Sequence, residues 1–202
     1  MFYKMSFNRN CVDYDNLNHE NTIYAEKSNT NSIEHLDIKK GWFSYIITLG
    51  KIINDWPVVK FYYNSNKSVW ENEFLLNIDT WPIIHKKVQQ EFEENGIHGI
   101  QYLPIKLIDV VTNQVNTNYV VMNILNFIEA IDLEKSTYTY NEKYDLYSFL
   151  PHTTYLDVNV CQNYDIFRAT KSSISIYVSQ KIKDIAEENK WIGFEFYLQQ
   201  IN

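Results

Sequence analysis

Arginine is almost missing from this 202-residue chain: Arg9 and Arg168 are the only arginines. Bidentate recognition of phosphates or base edges therefore has little material to work with. A formal net charge of −7 points the same way, because nucleic-acid binding needs clustered Lys and Arg. No nucleic-acid partner is expected. Cysteine is as scarce. Cys11 and Cys161 stand alone, too few for a disulfide framework or a cysteine zinc site. Long apolar runs are lacking too. The longest, between Lys40 and Lys51, has about half the residues that a bilayer crossing requires. Residues 1–20 hold no apolar segment fit for a signal peptide. No membrane partner is expected, and the expected location is the cytoplasm. No low-complexity linker divides the chain, so a single domain over residues 1–202 is the expectation.

Chemistry-bearing motifs are missing as well. There is no phosphate-cradling glycine loop, nucleophile elbow, histidine pair one helical turn apart or cysteine zinc knuckle. His19, His35, His85, His98 and His152 are scattered. Cys161 and His152 could form a thiol–imidazole pair, but nothing local supports one, and a buried free thiol is the commoner state. The expectation is no enzyme, no catalytic residues, no metal and no cofactor.

What the chain does have is a repeat. Residues 84–102 and 178–196 align without a gap, ninety-four residues apart. Lys87, Glu93, Glu94, Asn95 and Gly99 recur as Lys181, Glu187, Glu188, Asn189 and Gly193. In the first copy Ile84, Val88 and Phe92 recur every fourth residue, the spacing of one helical face, and Asn95-Gly96 provides a stop. The second copy repeats this with Val178, Ile182, Ile185 and Ala186, and Ser179 stands at the N-cap position. Each helix is followed by a short extended segment entered through a glycine, which suggests a positive φ or a close backbone approach. In the first copy, Pro104 is expected to limit further pairing.

Elsewhere strands predominate. Tyr3, Met5 and Phe7 alternate as on a half-buried strand. Residues 42–49, 58–63, 119–125 and 175–178 read as further strands, while residues 8–32 read as a long polar loop. The fold class expected is α+β: mixed or mainly antiparallel sheets, few helices and two related helix–strand units. The chain is also rich in aromatics, with 16 Tyr, 11 Phe and 5 Trp, residues that fill cores and favour protein interfaces.

The motif Asn95-Gly96-Ile97-His98-Gly99-Ile100-Gln101-Tyr102-Leu103-Pro104 is followed by the apolar run 119–136, which contains Asn126-Phe127-Ile128-Glu129. Asp165-Ile166-Phe167-Arg168 and residues 178–196 complete a series that, in this order, resembles a family of bacterial immunity proteins, number eleven of the immunity series. Such proteins belong to polymorphic toxin systems and bind a toxin encoded beside them. The resemblance covers about residues 70–198; residues 1–69 would add strands and the polar loop. It implies a cytosolic toxin inhibitor without catalytic residues, whose partner is a cognate toxin. The acidic charge suits a basic nuclease, although it also suits simple solubility. The candidate partner-binding residues are Asp132, Glu134, Tyr138 and Tyr140, although the tyrosine stripe could equally be half core. Arg168 joins them because Arg is enriched at interfaces, its other reading being a local ion pair with Asp165. Oligomeric state is left open. The alternatives are a non-inhibitory adaptor and an enzyme whose polar groups converge from distant positions.

Overall fold

The computed structural model describes residues 1–8, 24–25, 43–65, 72–77, 80–150 and 152–201. In chain order the elements are β1 (Phe2–Phe7), β2 (Tyr24–Ala25), a 3-10 helix (Phe43–Thr48), β3 (Val59–Tyr63), β4 (Phe74–Leu75), β5 (Ile83–His85), α1 (Lys86–Glu94), β6 (Ile100–Asp109), β7 (Val115–Asn116) and β8 (Tyr119–Ile124). There follow β9 (Phe127–Ile128), β10 (Ile131–Asp132), β11 (Tyr138–Asn141), β12 (Leu146–Phe149), β13 (Tyr155–Leu156), α2 (Val158–Cys161), β14 (Ile166–Ala169), β15 (Ser172–Ser179), α3 (Gln180–Glu188), β16 (Phe194–Leu198) and β17 (Gln200–Ile201). The described residues thus form mixed and antiparallel sheets with three α-helices, an α+β fold.

Two sheets carry the molecule. One runs β2-β3-β6-β8-β5-β4, with β7 also on β6; the other runs β16-β1-β15-β14-β9. Each contains a split strand–helix–strand unit. In the first, β5 and β6 are joined by α1 and both pair antiparallel with β8, which lies between them. In the second, β15 and β16 are joined by α3 and both pair antiparallel with β1. The registers agree. Val121 lies opposite Ile83 on one side and Leu103 on the other, and Lys4 lies opposite Tyr177 and Tyr197. Both flanking positions are again ninety-four residues apart. A fourth strand precedes each unit, β4 on β5 and β14 on β15.

Local chemistry accounts for most of the repeated residues. Asn95 and Asn189 cap the two helices, and their side-chain amides donate to the carbonyls of Glu91 (2.8 Å) and Ile185 (3.0 Å). Lys87 pairs with Glu73, the residue just before β4, and Lys181 lies 3.8 Å from Asp165, just before β14. Glu93 and Glu187 accept from the side chains of Gln89 and Lys183, one helical turn earlier. Gly99 and Gly193 both have positive φ, at 82° and 99°. Their carbonyls accept from Leu125 and Asn8, each at 2.8 Å, where the central strand ends.

The inner faces of both sheets and the apolar faces of α1 and α3 meet in one buried cluster. Val88 and Phe92 enter it from α1, Ile182 and Ile185 from α3, Met122 from β8 and Met5 from β1. Burying a residue such as Phe92 stabilises by roughly 1.5–3 kcal/mol relative to leaving it in water. A second cluster backs the first sheet, with Trp81, Phe61, Val121 and Ile47. A third backs the second sheet, with Phe2, Phe167, Tyr177 and Leu156. Strand β8, at the centre, is buried along its whole length.

Two strand expectations need correction. The run 42–49 is a 3-10 helix over Phe43–Thr48, with Trp42 outside the described residues. Short apolar runs do not distinguish strand from helix by periodicity, and here Ile46 and Ile47 turn into the second cluster. Pro104 does not end pairing: β6 continues to Asp109. Proline is tolerated because residue 104 points its backbone polar groups away from β8, toward an edge where its missing N–H leaves nothing unpaired. Apart from Asn8 and strand β2, the polar stretch 8–32 lies outside the described residues.

Candidate functional site

Between β10 and β13 the chain leaves the main sheets and forms an isolated hairpin of β11 and β12. Its root is tied at several points. Asp132 accepts from the backbone N–H groups of Glu134 (2.9 Å) and Lys135 (3.2 Å), an Asx-type turn. Ser136 Oγ accepts from the N–H of Tyr155 (2.9 Å), and the N–H of Thr137 donates to the Thr153 carbonyl (3.2 Å). At the tip Asp145 takes φ 49°, which a short polar side chain tolerates, and its carboxylate accepts from the Tyr140 hydroxyl at 2.9 Å. That bond, followed by burial, raises the pKa of Tyr140.

The pairing Tyr138↔Phe149 and Tyr140↔Tyr147 places four rings on one face. Tyr140 and Tyr147 lie 4.6 Å apart between centroids, and Tyr138 lies 5.3 Å from Tyr147 and 5.8 Å from Phe149. Each such contact stabilises by about 0.5–1.5 kcal/mol beyond area burial, so the ladder holds a two-stranded ribbon in shape. None of the four rings belongs to the three buried clusters. Of the four, Tyr140 is exposed, as are Tyr144, Leu146, Leu150 and Ile174 nearby. Lys171 and Lys143 sit over the rings of Tyr147 and Tyr144. Where the hairpin leans toward the β14–β15 turn, a groove of about 400 Å³ opens, lined by Glu129, Asp145, Tyr147, Lys171, Ser172 and Ile174 among others.

The sequence-derived candidates separate here. Tyr138 and Tyr140 lie on the ring face, Tyr140 exposed and Tyr138 half-buried, so the stripe is hairpin and not core. Glu134 is exposed in the adjoining turn, whereas Asp132 is half-buried and fixes that turn. Arg168 is buried at 2 % exposure, which corrects its placement at an interface. Its guanidinium donates to the carbonyls of Ser173 and Ile174, both at 2.7 Å, and burial lowers its pKa to about 10. Nor does Arg168 pair with Asp165, which accepts from Ser179 Oγ at 2.6 Å and faces Lys181. Tyr147, Phe149 and Lys171 were not foreseen. The signal available was the alternation Tyr147, Phe149, mirroring Tyr138, Tyr140 across the polar turn Asn141-Glu142-Lys143-Tyr144-Asp145.

Reactive groups are placed differently. The Cys161 thiol is buried, and burial followed by the Asp157 charge pushes its pKa up to about 12, the opposite of an activated nucleophile. His85 caps α1, its Nδ1 accepting from the N–H of Lys87 at 3.1 Å, and burial followed by Lys87 lowers its pKa. Among the described residues no group of three or more His, Cys, Asp and Glu could hold a metal ion. No helix among them is long and apolar enough to cross a membrane. The arrangement is one of rings, turn carboxylates and a shallow groove, which suits binding a surface.

The sequence itself matches the model of the immunity protein family Imm11 over residues 9–200, nearly the whole chain. The chain belongs to that family. The match extends the resemblance at 70–198 toward the N-terminus. A comparison with curated proteins returns no match.

Proposed function

We propose that this protein is a cytoplasmic antidote that binds and neutralises a cognate toxin by occluding it, and that the ring face of the β11–β12 hairpin with its groove is the docking surface. Family membership supports toxin immunity as the role. The observation that carries the site is the four-ring face of Tyr138, Tyr140, Tyr147 and Phe149, which joins none of the buried clusters and is bordered by exposed apolar side chains. Rigid aromatics beside turn carboxylates are the kind of anchor on which tight inhibitors depend. The net charge of −7 favours a basic toxin such as a nuclease, by electrostatic steering. In this reading the chain is a single domain without catalytic activity. The helix–strand units at 84–102 and 178–196 are related copies, a reading supported by their common register and caps.

The test is calorimetric titration of the toxin domain encoded beside this gene. Replacing Tyr140 and Tyr144 together by Ala is expected to weaken binding by at least about tenfold, since central aromatic anchors contribute about 2 kcal/mol or more. The melting temperature should fall modestly, because Tyr140 gives up its contact with Tyr147 and its bond to Asp145, so binding is compared at a temperature where both proteins are fully folded. Unchanged affinity would move the docking surface elsewhere.

A further inference from the structure

The two sheets differ at one edge. On β6 the residues whose backbone groups point away from β8 are the even-numbered ones: Gly99 O accepts from Leu125, and Val110 N–H donates to Tyr63 O on the opposite side. That outer edge is covered. Strand β3 pairs with it in parallel from Ile105 to Asp109. Next to this stretch stands Pro104, which has no N–H, and its carbonyl accepts from the Trp56 indole at 2.8 Å. These are ordinary ways to protect an edge strand.

On β16 the matching residues are Phe194, Phe196 and Leu198, since Asn8 donates to Gly193 O and Gln199 donates to Phe2 O on the β1 side. Among the described residues no strand pairs with this outer edge. Leu198 stands where Pro104 stands in the other unit and keeps its N–H; its carbonyl meets the Gln199 side-chain amide at 3.4 Å. Apolar side chains border the edge: Leu198 is 63% exposed, Ile192 50% and Ile201 44%. Beyond it, β17 pairs with β13, which pairs with β10, and the hairpin β11–β12 rises between these two. The open edge is thus linked, through β17 and one small sheet, to the strands from which the hairpin of the proposed docking surface springs.

We infer that the outer edge of β16 receives an extended segment of the bound toxin as an added strand, aligned parallel to β16 as β3 is to β6. This rests on the immunity reading and extends it from a ring face to a backbone contact. Main-chain hydrogen bonds to Phe196 and Leu198 would supply affinity, and the apolar border would select alternate side chains of the incoming strand.

Amide hydrogen exchange, read residue by residue on the full-length protein alone and with the toxin domain encoded beside its gene, tests this. The Phe196 and Leu198 amides are expected to exchange readily in the free protein and at least about tenfold more slowly in the complex. The Glu195 and Tyr197 amides, which face β1, should be protected in both. Leu198→Pro removes the outward N–H and should weaken binding by about tenfold, a larger loss than for Leu198→Ala, which trims the apolar border but keeps that N–H. Toxin binding without protection at Phe196 and Leu198 overturns the inference and leaves the immunity reading standing. Absence of binding sinks both. Concentration-dependent protection of these amides in the free protein would give the edge to a second copy and also overturn it. Should Leu198→Pro fail to fold, exchange in the unmodified protein decides alone.

Discussion

The unit built on β8 and the unit built on β1 share register, helix position and an asparagine C-cap, yet they are finished differently. Three contrasts stand out. After α1 the left-handed position is Gly96, at φ 66°, whereas after α3 it is Lys190, at φ 54°. At the strand entry, a Cβ on Gly99 would meet the end of the Asn126 side chain, but one on Gly193 would lie 2.2 Å from the Phe74 carbonyl oxygen. At the helix start, His85 supplies a side-chain cap, whereas the Ser179 hydroxyl is turned to Asp165 instead. One backbone plan therefore tolerates different local solutions, and the cost of breaking each should differ in a predictable order.

The largest contrast is between the two glycines. Gly193→Ala should destabilise by about 3 kcal/mol or more, because both a positive φ and a backbone collision must be relieved. For Gly99→Ala about 1–2 kcal/mol is expected, since the Asn126 amide can turn aside at the loss of its bonds to the His98 and Ile166 carbonyls. Urea denaturation of the two variants checks this, and equal losses would remove the distinction drawn between the units.

The helix starts should differ next. His85→Ala should cost about 1 kcal/mol through loss of the cap. Because the folded state lowers the His85 pKa from 6.5, the stability it contributes is fully present above about pH 6.5 and declines as the pH falls below that value. A pH series of melting curves should show this slope in the parent protein and a weaker one in His85→Ala. Ser179→Ala should not alter the slope.

The smallest effect runs the other way. Lys190→Gly places the preferred residue at a left-handed position and should raise stability by up to about 1 kcal/mol, making α3 end as α1 does. A thermal melt suffices to see it.

Much of the scaffold was legible in the sequence because its signals are local. The four-residue spacing of Val88 and Phe92, the asparagine caps and the glycines at 99 and 193 each report on a few neighbouring residues, and each lies where the spacing placed it. What was not legible depends on distant partners. Nothing near Ile46 or Ile47 says that these residues will coil against Trp81 and Val121. Arg168 could not be known to be buried until β14 and β15 were paired, for only then do the carbonyls of Ser173 and Ile174 converge on it. The candidate site was half visible. Tyr138 and Tyr140 were readable as a stripe, but their place in a ring ladder outside the core follows from cross-strand pairing with Phe149 and Tyr147. The split units were hidden for the same reason, since the central strand follows its unit in one case (β8) and comes from the start of the chain in the other (β1).

The most direct measurement is growth rescue. The toxin domain encoded beside this gene would be expressed in a susceptible host with no partner, with the wild-type protein, or with the Tyr140→Ala, Tyr144→Ala variant. The account predicts that the wild-type protein restores growth, and that the variant, present at equal level and equally folded, restores it poorly. Failure of the wild-type protein to rescue growth from a toxin shown to be active would contradict the account at its centre.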